Sequence, residues 1–140
     1  EYPGVVRFNN VVCSDMGYTP IDEEELQTFL QGNPISNRTF LPEEYDCDEF
    51  ATALFAAARW NLTSWESKKE RLEEPVQLLQ YPAAIGFVLG NSKSSGEKHA
   101  FNVAFLERGD GTPEAYAIEP QSNRMVPLND FGYDVRIAFF

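Results

Sequence analysis

The 140-residue chain is 43% hydrophobic and carries 22 acidic against 11 basic side chains, for a net charge of −11. That length buries one proper core, and no apolar run is long enough to cross a bilayer. The acidic balance argues against nucleic acid or an anionic membrane surface, both of which reward clustered Lys and Arg, and it fits cation binding. The chain is therefore read as a single domain over residues 1–140 with no membrane insertion. It begins at Glu1 with neither an initiator Met nor a targeting segment, as a mature fragment or an excised domain would. Asn37-Arg38-Thr39 and Asn61-Leu62-Thr63 match the glycosylation acceptor pattern, which short sequences often do by chance. The compartment stays open, with a cytoplasmic or released protein favoured over a membrane one.

Val5 to Phe8 and Val11 to Cys13 are short β-branched runs that predict extended structure. Thr19-Pro20-Ile21-Asp22 predicts a helix start, with Thr19 as N-cap and Pro20 first in the helix. Leu26, Phe29 and Leu30 supply its buried stripe, Gly32-Asn33-Pro34 its stop, and Glu23-Glu24-Glu25 a solvated first turn. A polar connection leads to a second helix at about Cys47 to Trp60, whose alanines predict close packing on more than one side and burial in the middle of the domain. Ser64 to Glu74 predicts a charged surface helix ended by Pro75.

From residue 83 the period changes. Ala84 to Leu89, His99 to Leu106, Ala115 to Glu119 and Val135 to Phe140 predict strands. Asn91 to Lys98 reads as a flexible polar loop, and Arg108-Gly109-Asp110-Gly111-Thr112-Pro113 as a turn. Helices first and an antiparallel sheet afterwards make an α+β pattern.

Tyr45-Asp46-Cys47-Asp48-Glu49-Phe50-Ala51 organises this plan. Asp46 is a good N-cap, Glu49 its capping-box partner three residues on, and Cys47 the first helical residue. The helix terminus favours a thiolate by about 0.3 to 1 kcal/mol. A carboxylate roughly 6 Å away, at an effective dielectric near 20, opposes it by about 2 to 3 kcal/mol. A nucleophilic Cys47 therefore calls for a cation on Asp46, Asp48 and Glu49. The plain alternative is a small buried Cys behind a capped helix. Cys13 and Cys47 are read as two free thiols rather than a disulfide, with Cys13 structural.

His99 is the only histidine. If the turn near residue 110 folds the next strand back, positions summing to roughly 218 to 222 lie opposite one another, so His99 faces the neighbourhood of Glu119. A carboxylate there can hold one imidazole tautomer while the other ring nitrogen takes a thiol proton. The order Cys47, His99, Glu119 is that of papain-like and transglutaminase-like acyl-transfer folds.

The three blocks Tyr-Asp-Cys-Asp-Glu-Phe-Ala, His-Ala-Phe-Asn-Val and Ile-Glu-Pro-Gln resemble the C-terminal cysteine protease domain of the fungal chimerolectins typified by the Marasmius oreades agglutinin, over about residues 40 to 122. The resemblance implies a papain-like fold, a central buried helix packed against an antiparallel sheet. It further implies calcium-dependent proteolysis of a protein or peptide substrate, a galactoside-binding lectin domain carried on the same chain, and dimerisation through this domain. Carried over residue by residue, Cys47 is the nucleophile, His99 the general base and acid, and Glu119 the residue that orients the histidine. Gln121 lines the site and joins the Cys47 N–H in holding the oxyanion. Calcium takes six to eight oxygen ligands, and the candidates are Asp46, Asp48, Glu49 and Asn102. Two other readings stay open: a transglutaminase-like acyl transferase, and a non-catalytic calcium-binding or dimerisation module of a lectin.

Overall fold

The computed structural model describes residues 11–13, 17–43, 46–62 and 82–140. The predicted strand at Val5 to Phe8 and the predicted surface helix at Ser64 to Glu74 lie outside them. A six-stranded sheet is the frame. Its strands are β1 (Val11–Val12), β2 (Ile85–Ser92), β3 (Lys98–Leu106), β4 (Glu114–Glu119), β5 (Arg124–Pro127) and β6 (Tyr133–Phe139), in the order β1-β6-β2-β3-β4-β5. β2 to β5 form an antiparallel meander. β6 returns beside β2, and β1 lies parallel to β6 at the edge.

The sheet alternates as its sequence does. Ile85, Ala104 and Ile118 face a helical layer, while their neighbours Val88, Val103 and Ala117 face a second apolar cluster with Phe101, Ala138 and Phe140. Two glycines make the second cluster possible. A Cβ on Gly86 would stand 2.7 Å from the Phe139 carbonyl oxygen and 2.9 Å from the Phe140 ring, and one on Gly90 would stand 2.9 Å from the Phe101 ring.

The helical layer contains α1 (Glu23–Gly32) and α2 (Cys47–Leu62). α1 buries Leu26 and Leu30 as predicted, but it starts later, with Asp22 as N-cap accepting from the Glu25 N–H at 3.0 Å. Thr19 is drawn into a parallel bridge with Ala83, and Ile21 into one with Leu106, so sheet pairing overrides the Thr-Pro helix signal. The Glu23 carboxylate is not simply solvated, because Arg108 Nη1 contacts it at 2.7 Å.

α2 packs across β2 and β3. The prediction of a helix buried in the middle of the domain is corrected here. α2 buries one stripe, Phe50, Ala51, Leu54 and Ala58, and leaves Trp60 66% exposed. The antiparallel sheet is likewise corrected to a mixed one by the parallel β1–β6 pair. Nor is 91–98 a loose loop: Ser92 N–H donates to Glu97 O at 2.8 Å, Lys93 N–H to Gly132 O at 2.9 Å, and Asn91 Nδ2 to Gly96 O at 3.0 Å.

Candidate functional site

The α2 N-terminus is capped as its sequence dictates. Glu49 Oε2 accepts the Asp46 N–H at 3.0 Å, completing a capping box, and Asp46 Oδ1 accepts the Asp48 N–H at 3.4 Å. Cys47 is half-buried in the first turn. Burial is the main influence pushing its thiol up. A backbone hydrogen bond from Ala100 pulls it down, and the Asp46 and Asp48 charges add smaller upward pushes. The carboxylates therefore act in the expected direction but second to desolvation.

Asp46 and Asp48 share their environment unequally. A hydrogen bond from Asp48 holds the Asp46 carboxyl below 3.8, and the same bond pushes Asp48 up to about 6. One ligand atom from each of Asp46, Cys47 and Asp48 lies within 4.8 Å of the others. The paired carboxylate oxygens share a proton that a cation would have to displace, and they fit a hard divalent cation by donor type. Glu49 is occupied as the capping-box acceptor. Asn102 is fully buried under α2, with Nδ2 donating to Ala51 O at 2.8 Å and Gly86 O at 3.2 Å, while its Oδ1 has no protein partner.

The β3–β4 register brings the other half of the cluster together. Asn102 opposes Ile118 and Leu106 opposes Glu114, so partners sum to 220, inside the expected range. His99 Nε2 and Glu119 Oε2 are 2.5 Å apart. The His99 ring leans on Tyr133 at 5.2 Å and Phe101 at 6.1 Å between centroids. Glu119 Oε1 accepts the Gln121 N–H at 3.3 Å, so Gln121 meets the site through its backbone. Cys47 reaches β3 at Ala100, next in the chain to His99, but no hydrogen bond among the described residues joins the thiol to the imidazole. Tyr133 and Asn123 near this cluster were not predicted. Tyr133 carries no local signal, and Asn123 is marked only by its place in a turn.

No family model and no curated protein matches the chain. Solved structures do. One, described as a PSL1a–E64 complex, has a TM-score of 0.70 and 24% identity over 99% of this chain and 46% of that one. Another is Polyporus squamosus lectin bound to the human-type influenza-binding epitope Neu5Aca2-6Galb1-4GlcNAc, with a TM-score of 0.67 and 21% identity over 94% of this chain and 42% of that one. The chain has the fold of part of a lectin.

It spans less than half the length of the lectin structures it matches. These likenesses correct the earlier expectations. The fold is placed with Polyporus squamosus lectin rather than with the papain-like domain of the Marasmius oreades agglutinin family. The cysteine endopeptidase reading, with its peptide substrate, is withdrawn on the same finding, and the alternative of a lectin module stands better. No described helix is long and apolar enough to cross a membrane, in keeping with the absence of a spanning run in the sequence.

Proposed function

We propose that this chain is a calcium-binding module of a glycan-binding lectin, with Cys47, His99 and Glu119 lining its functional face. The observation that carries the reading is the near-complete superposition of the chain on part of a lectin that was solved with a sialylated glycan. The Asp46–Asp48 pair supports the cation. Two adjacent carboxylates, with water and nearby carbonyls completing the shell, give calcium the oxygen donors it takes. Bound there, the ion would neutralise the charges that oppose ionisation of Cys47 and would leave the thiol open to electrophiles.

Calcium titration followed by calorimetry, on the wild type and on Asp46→Asn/Asp48→Asn, tests the cation. Saturable heat in the wild type and none in the double variant is expected; equal heat in both would move the ion elsewhere. In parallel, Cys47 labelling by iodoacetamide or E64 near pH 7 is expected to be faster with millimolar calcium than with chelator. Binding of the chain to immobilised Neu5Ac-Gal-GlcNAc, measured alongside, reports whether glycan recognition resides in this module or in the remainder of a longer lectin.

A further inference from the structure

Glu119 ends β4, and the chain turns through Pro120, Gln121, Ser122 and Asn123 before β5 begins at Arg124, which pairs back with Glu119. Most bonds inside this turn are local: Ser122 N–H to Glu119 O at 3.2 Å, Gln121 N–H to Glu119 Oε1 at 3.3 Å, and Arg124 N–H to Ser122 Oγ at 3.3 Å. Such bonds shape the turn without fixing it against the rest of the fold. Asn123 does fix it. Its backbone is left-handed at φ 59, a conformation Asn tolerates better than most residues. From there its amide crosses to the helical layer, with Nδ2 donating to the Leu30 carbonyl at the end of α1 at 2.8 Å and to Ser36 Oγ at 3.0 Å.

We propose that Asn123 is a positioning residue for the His99–Glu119 pair: its amide clamps the β4–β5 turn onto α1, and so holds the Glu119 carboxylate against the only imidazole of the chain. The inference rests on the reading of His99 and Glu119 as one functional unit. Its physical basis is leverage. Glu119 Oε1 is tied to its own turn through Gln121, so a turn released from α1 takes the carboxylate with it and changes what His99 feels. Asn123 also satisfies a helix-end carbonyl, so a loss of stability alone would not separate positioning from capping.

The single histidine makes the distinguishing experiment direct. The pH titration of the His99 ring resonances is recorded by NMR for wild type, Glu119→Gln and Asn123→Gly. The last keeps the left-handed backbone and deletes the amide. The expected result is that Asn123→Gly moves the His99 titration midpoint at least half of the way to its position in Glu119→Gln, with the folded chemical-shift pattern retained. A wild-type midpoint in Asn123→Gly beside a shifted one in Glu119→Gln overturns the positioning role alone. An unshifted midpoint in Glu119→Gln overturns the pairing, and the proposal with it. Should Asn123→Gly not fold, Asn123→Asp, which keeps the shape and removes the donor, decides by the same criterion.

Discussion

Asn102 on β3 and Ala51 on α2 stand 51 positions apart in the chain and are joined by a 2.8 Å hydrogen bond from the side-chain amide to the helix carbonyl. The same amide reaches Gly86 O on β2 at 3.2 Å, so one buried side chain ties the helix to two strands. Asn102→Ala removes both bonds and leaves a hole beneath the first turns of α2. A loss of about 2 to 4 kcal/mol is expected in urea unfolding. Asn102→Asp should lose more, since it faces two carbonyls with a buried carboxylate.

The Asp46–Asp48 pair predicts a pH dependence of defined sign. Asp48 is pushed up to about 6 in the folded protein against an ordinary 3.8, so between these values the native state holds a proton that the unfolded chain has released. Stability should therefore fall as pH rises through that window and level off above it. Asp46, held low, contributes the opposite slope below 3.8. Urea midpoints measured from pH 4 to 7 should show the decline in the wild type and not in Asp48→Asn. Because a cation must displace the shared proton, calcium should raise the midpoint more at pH 7 than at pH 5.

Gly86 has no room for a side chain. A methyl there would meet the Phe139 carbonyl oxygen at 2.7 Å and the Phe140 ring at 2.9 Å. The carbonyl belongs to the neighbouring strand and cannot give way without disturbing the β2–β6 ladder. Gly86→Ala is expected to destabilise by about 1 to 3 kcal/mol, measured by the shift in the urea midpoint at constant slope.

The two thiols should be distinguishable by rate. Cys13 is exposed, whereas Cys47 is half-buried and its thiol is pushed up by that burial. With chelator at neutral pH, peptide mass spectrometry after brief iodoacetamide treatment should find the label on Cys13 first. Equal labelling would mean that the first turn of α2 opens readily in solution.

Much of this site could be read from local rules. The Asp46–Glu49 capping box needs only its own four residues, and the His99–Glu119 meeting follows from a hairpin whose turn carries Gly109 and Gly111. What escaped was set by distant partners. Thr19 looks like an N-cap until Ala83 pairs with it, and the exposed flank of α2 is invisible in a run of alanines that pattern alone reads as buried. β5 is four residues with Pro at its end, too short to stand out. Asn102 and Asn123 carry no sign in the sequence that one is a buried tie and the other a clamp. The fold assignment failed for a related reason. Three short motifs report a helix start and a hairpin, and those units do not determine how six strands are ordered.

The outermost strands of the sheet are its shortest: β1 has two residues and β5 has four, the last of them Pro127, which has no N–H to donate. Among the described residues, neither margin offers a template long enough to recruit a strand from another molecule. Along these described margins, copies of this chain should therefore not be stitched edge to edge into a growing ribbon.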